Sequence, residues 1–272
     1  MQTFSEIGLG TAGTVLWGFV LVGFIAMFAL IAEKRWALLG VAQGKDDRFH
    51  DWPERLRAFV FDGLLQGRMP RKRYRLVGVA HLFIFWGFVV LGGQTVTLAA
   101  RGFSPAFHLP LLAPDSVTGQ LYLAMKDFFV LAVLVAVLVA AANRIFRKPE
   151  RLTLSLEALL ILGMIGTLMV TDMLMDGAAF RLAGESMHWY APNGWAVSHL
   201  LGFLSPGALT GLRGLCWWTH MLTILAFLIA GTIERSLGPT GMNVVSRILG
   251  ILLAAVSSEM ILAGLKQSGI FH

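Results

Sequence analysis

The chain reads as an all-α integral membrane protein, a five-helix bundle with a sixth C-terminal helix and its N-terminus outside. Three observations lead there. Of 272 residues, 56% are hydrophobic and 14% charged, with a mean hydropathy of +0.71, a balance that water-soluble domains do not reach. Five long uncharged stretches punctuate the sequence, as helices crossing a ~30 Å hydrocarbon core require. Basic residues then crowd into alternate loops between those stretches.

The first stretch is 7–32, and the first ten residues carry neither Lys nor Arg. A retained first helix is therefore expected in place of a cleaved leader. In the loop 33–75, the segment 49–67 has helical periodicity, with Trp52, Leu56, Phe59, Val60, Phe61, Leu64 and Leu65 apolar and Arg55, Arg57 and Asp62 between them. A helix lying on lipid headgroups is its better reading, with docking of a soluble partner as the alternative.

The second stretch, 76–100, carries His81, and the loop after it is broken by Pro105, Pro110 and Pro114. The third is 128–142, and the fourth is 158–171 extended by 152–156. The segment 176–213 follows, with Trp189, Tyr190 and Trp195 suited to an interfacial cap. The fifth, 214–233, carries His220, and a sixth, 248–258, is cut short by Glu259, so that it either spans or lies at the interface.

A net charge of +6 could suggest nucleic acid, but the charges sort by membrane side. Lys34, Arg35, Lys45, Arg48, Arg55, Arg57, Arg68, Arg71, Lys72, Arg73 and Arg75 fall between the first two stretches, and Arg144, Arg147, Lys148 and Arg151 between the third and fourth. The other loops hold only Arg101, Lys126, Arg181 and Arg213. The positive-inside rule puts the loop 33–75 in the cytoplasm. Cys216 is the only cysteine, which excludes an intramolecular disulfide and a four-cysteine metal cluster built by this chain.

Seven histidines are unequal candidates for chemistry. His50, His108, His188 and His272 fall in loops or at the end, where solvated side chains are expected. His199 begins a hydrophobic segment and is a lesser candidate for metal or quinone contact. His81 and His220 lie within separate spanning stretches, each near tryptophan. Polar groups at that depth are costly and usually functional, and imidazoles within membrane helices are the usual protein ligands of haem iron. At ~1.5 Å per residue, His81 is roughly 7 Å from the inner end of its stretch and His220 roughly 10 Å from the outer end of its own, so they suit two different irons. Lys126, Asp127, Asp172 and Asp176 are candidates for quinone hydrogen bonds or protons, although interfacial charges flanking helices are the better reading of each.

The runs Gly78-Val-Ala-His81-Leu-Phe-Ile-Phe-Trp86, Leu156-Glu157 with Thr171-Asp172, and Trp217-Trp218-Thr219-His220 come in an order that resembles the nitrate reductase gamma-subunit type of membrane module, as found ahead of heterodisulfide-reductase-like iron–sulfur domains. The likeness covers about residues 1–230. It implies a five-helix cytochrome b subunit of the bacterial inner membrane, with one or two b-type haems. Such a subunit exchanges electrons between menaquinone or another quinone and a cytoplasmic iron–sulfur or flavin protein, with His81 and His220 as iron ligands. In the family's two-haem members a second histidine completes each pair, but Leu91 and Gly238 occupy those places here. The inner site, at His81, is therefore expected to be incomplete.

From Ile229 onward, the run Gly238-Pro239-Thr-Gly-Met-Asn-Val-Val-Ser-Arg247 and the later Gly264-Leu265-Lys266 resemble the end of the MarC family of integral membrane proteins, departing from it at Glu259 and Ala263. The expected organisation is a cytochrome b-type domain over 1–230 and a MarC-like loop and helix over 231–272. The alternatives to an electron-transfer subunit are a non-redox MarC-like membrane protein and a haem-deficient anchor for a partner.

Overall fold

A computed structural model describes residues 10–41, 51–67, 69, 75–104, 106–147 and 156–229. Every regular element among them is helical. In order these are α1 (Gly10–Val41), α2 (Trp52–Ala58), α3 (Arg75–Arg101), α4 (Val117–Ala142), α5 (Leu156–Ala183) and α6 (Pro192–Leu200), followed by α7 (Pro206–Ile229). α2 and α4 each run on into a wider π-helical turn, at Phe59–Leu64 and Asn143–Arg147. Five helices, α1, α3, α4, α5 and α7, are long and apolar enough to cross a membrane. The protein is a multi-pass membrane protein.

The expectations for the tail (Gly238, Glu259, Ala263, His272 and a sixth helix) lie outside the described residues, as do His50 and much of the basic loop between α1 and α3.

Helices begin where local chemistry stops the loop. Ser116 precedes α4 in extended backbone, and its hydroxyl accepts a hydrogen bond from Gly119 N at 3.0 Å, which satisfies one of the amides a helix start leaves open. Gly119 is required at that point, because a Cβ there would stand 1.9 Å from Ala113 O. α6 and α7 each open with a proline, whose missing N–H costs nothing at a first helical position. Ser205 Oγ accepts from Ala208 N at 3.3 Å ahead of α7.

Three of the helices are longer at one end than uncharged stretches imply. α4 begins at Val117 and not near residue 128, α5 runs on to Ala183, and α7 starts at Pro206 and not near 214. In α4 and α5 the charges that ended those stretches, Lys126, Asp127, Asp172 and Asp176, stand inside the helices. The amphipathic segment around residue 52 is also as expected helical, and its Trp52, Leu56, Phe59, Phe61 and Leu65 are all exposed.

Neighbouring spans run antiparallel. Gly87 of α3 faces Val133 of α4, Gly93 faces Tyr122, and Gly166 of α5 faces Val137. Asn193 of α6 is bonded to Asp127, and Ala178, Leu201 and Leu209 form a small core, so α6 closes one end of the bundle. Towards that end Trp17 of α1 is fully buried, with its Nε1 donating to Ala99 O at 3.0 Å. Its ring meets Trp217 edge-on at 4.9 Å and Trp218 at 6.1 Å, and Leu98, Met175, Met221 and Leu225 complete that core. A second core, Val130, Val133, Val137 and Met169, fills the space between α4 and α5.

Candidate functional site

His220 is buried on α7, with 5% of its surface exposed. Its Nδ1 lies 2.9 Å from Thr171 Oγ1 on α5. The hydroxyl proton of Thr171 has two carbonyls to choose from, Thr167 O at 2.7 Å and Leu168 O at 3.1 Å. A hydroxyl has one proton and two lone pairs. With the proton turned to its own helix, Thr171 accepts from His220 Nδ1–H and Nε2 keeps the basic lone pair. That is the tautomer in which an imidazole binds a metal, oriented by a hydrogen bond through its other nitrogen.

One residue further along α5 stands a buried ion cluster. Lys126 Nζ, 3% exposed, pairs with Oδ2 of both Asp172 and Asp176, the latter at 2.5 Å. Asp172 is as buried as the lysine, whereas the side chain of Asp176 is 33% exposed. The two aspartates are four residues apart on α5 and so share a face. Asp127, next to the lysine, instead accepts from Asn193 N at 3.2 Å, while Asn193 Nδ2 donates to Asp127 O at 2.8 Å. These are not the separate interfacial charges expected from sequence. Lys126 and Asp172 are interior and paired, because an unpaired charge at that depth would be far costlier than a matched one.

The other expected site residues lie apart. His81 is exposed on the surface of α3. With Gly87 opposite Val133 and Gly166 opposite Val137, His81 is level with residues near 164 on α5, about 10 Å further from the α6 end than Thr171. His220, fourteen residues into α7, is about 21 Å from the start of its helix, twice the depth expected, since α7 begins earlier. His81 and His220 are nonetheless at different heights. His199 is exposed on α6, where its Nδ1 meets Trp195 O at 3.0 Å and its ring packs against Trp195 at 4.3 Å. It is not brought to His220. His188 pairs with Glu185 at 3.1 Å and stacks on Tyr190, and His108 Nδ1 is 3.2 Å from Leu109 O. Among the described residues no three His, Cys, Asp or Glu side chains are grouped to hold a metal ion.

Sequence reasoning missed Thr171 as the partner of His220 and the ion cluster as a unit. The second left a trace: opposite charges inside two otherwise apolar runs, with the two aspartates at helical spacing.

Comparison with known proteins finds similarity of two kinds. Residues 214–268 match the MarC family of integral membrane proteins, a match that starts ahead of the junction expected at 230 and takes in most of α7. The chain is also 25% identical over 227 residues to a probable iron-sulfur-binding oxidoreductase, FadF, of Bacillus subtilis, covering 82% of this chain and 30% of that protein. It is 29% identical over 220 residues to an EtfAB:quinone oxidoreductase of Syntrophomonas wolfei, covering 75% of this chain and 29% of that protein. The chain thus spans less than a third of the length of either relative. No solved structure matches it.

Proposed function

We propose that this chain is a membrane cytochrome b-type subunit that passes electrons between a quinone pool and an iron–sulfur or flavin partner. The observation that carries the reading is the buried His220, whose Nδ1 lies within hydrogen-bond distance of Thr171 Oγ1 on another helix. One relative is described as iron-sulfur-binding and the other as acting on quinone, and their similarity runs along most of this chain. A bound haem would supply one-electron chemistry between two iron oxidation states. The chain's own part is to hold and orient the imidazole, to keep it away from water, and to set fixed charges near it.

His220 fits a haem ligand by burial and by support from a second helix. His81 offers a second imidazole at another depth but on the bundle surface, so a haem there needs a cover and a second ligand from outside the described residues. We assign the b-type haem to His220 first, His81 to a second and incomplete inner site, and His199 to a quinone or metal contact of lower rank. Lys126, Asp172 and Asp176 are suited to exchange protons or hydrogen bonds with a quinone headgroup. The domain 1–230 would carry this chemistry, with a MarC-like end over 231–272. The basic loops between α1 and α3 and between α4 and α5 would face the cytoplasm, the N-terminus the outside, and the setting would be a bacterial inner membrane.

The test is a reduced-minus-oxidised spectrum of the purified chain from haem-sufficient cells. A b-type α-band is expected, lost or displaced by His220→Ala in a correctly inserted protein. Absence of any α-band would sink the haem assignment. It would favour the second reading, a non-redox MarC-like membrane protein, for which the match over 214–268 speaks, or a haem-deficient anchor.

A further inference from the structure

We infer that Asp172 and Asp176, gathered on Lys126, form a proton-transfer site that connects water at the α6 end of the bundle with the buried level of Thr171 and His220. The inference does not depend on haem or quinone being bound.

Four observations carry it. Burial is graded along α5: Asp176 is 33% exposed, while Asp172, one turn deeper, and Lys126 between them are at 4% and 3%. Lys126 Nζ touches Oδ2 of both carboxylates, so the two oxygens are bridged by one flexible ammonium. Asp172 Oδ2 is shut off from water and held by that ammonium, so when the ammonium leans to Asp176 a buried carboxylate is left that a proton would neutralise. Asp172 follows Thr171 directly, and His220 is within electrostatic reach of Lys126, so the inner end of the cluster meets the histidine level.

Charge decides which carboxylate takes the proton. One ammonium and two carboxylates leave one negative charge over, which the interior disfavours. Arg101 of α3 interacts with Asp176, and Arg213 of α7 with Arg101. Asp176 thus has water and a second cation, Arg101, beside it, whereas Asp172 is closed off from water. On the other side Asp127 and Tyr122 of α4 are near neighbours, and Asp127 adds negative charge beside both carboxylates, so that burial is what distinguishes them. α6 contributes the uncharged Asn193, already bonded to Asp127. Asp172 is therefore the site of uptake. A proton taken from water by way of Asp176 converts the Asp172 carboxylate to a carboxylic acid, with Lys126 remaining an ammonium paired to Asp176. Release passes the proton to Asp176 and then to water, which restores the starting charges. No electron moves in this step.

The experiment is infrared difference spectroscopy of the whole purified chain in lipid nanodiscs, titrated with acid in H2O and D2O. A protonated-carboxyl C=O band should grow on acidification, shift in D2O, and be lost in Asp172→Asn. In Asp176→Asn the band should remain, but its hydrogen–deuterium exchange should slow. A band that survives Asp172→Asn unchanged overturns the inference, and so does a wild-type chain with no titrating carboxyl band, which would make the cluster a fixed ionic staple between α4 and α5. Should Asp172→Asn fail to insert, the exchange rate in Asp176→Asn decides: unchanged exchange means that Asp176 is not the outlet and the inference fails. Because no arm uses haem absorbance, failure here is distinct from failure of the cytochrome assignment.

Discussion

A buried imidazole needs a partner for each nitrogen it brings, and for His220 one of them is a hydroxyl from another helix. The Trp217-Trp218-Thr219-His220 run marks His220 as interior, because two tryptophans flank it in an apolar stretch. Nothing in the sequence marks Thr171, forty-nine residues away, as its partner: a threonine in a membrane helix commonly bonds back to its own backbone, and this one also does. Thr171→Val keeps the side-chain shape and removes the acceptor. It is expected to lower stability by about 1–3 kcal/mol, the cost of leaving a buried polar nitrogen without its hydroxyl partner, with Thr171→Ser restoring most of the loss. Thermal unfolding of the three proteins in one detergent measures this. Equal midpoints for Val and wild type would mean that Nδ1 is satisfied elsewhere.

At the scale of the helices, apolar stretches located all five spans but misplaced several ends. The stretch criterion stops at charge, and in α4 and α5 the charges are tied to each other across the interface, a tertiary fact that no local pattern contains. The early start of α7 has a different cause, since Ser205 and Pro206 signal a helix start that the arginine at 213 obscured. Close packing has its own sequence trace in glycine. A Cβ at Gly87 would fall 2.2 Å from Val133 Cγ2, so α3 and α4 meet there without a side chain between them, as small residues allow in membrane helices. Gly87→Leu should push the helices apart and cost about 1–3 kcal/mol by overpacking, read as a lower unfolding midpoint. Gly92→Leu is the control, because a Cβ there meets nothing within 4 Å, and an equal loss in both variants would show that the effect is not packing.

For the whole molecule packing leaves the orientation in the bilayer free, and the distribution of charge is what predicts it. α1 and α7 begin, and α3 and α5 end, near α6, so the two loops richest in arginine and lysine share the opposite end. Transfer of short basic loops across a bilayer is disfavoured, and the K/R bias sets topology. The ion cluster opens towards the α6 end through Asp176, so orientation also decides which compartment its proton reaches: the outside, if the basic end is cytoplasmic. With Cys216→Ala as background, a cysteine in place of Arg57 on α2 should resist a membrane-impermeant maleimide applied to intact cells and react after permeabilisation. A cysteine in place of Ser186, in the loop between α5 and α6, should react without it. Labelling at position 57 from outside would invert the bundle, place the α6 end in the cytoplasm, and make the cytoplasm the compartment with which Asp176 exchanges its proton.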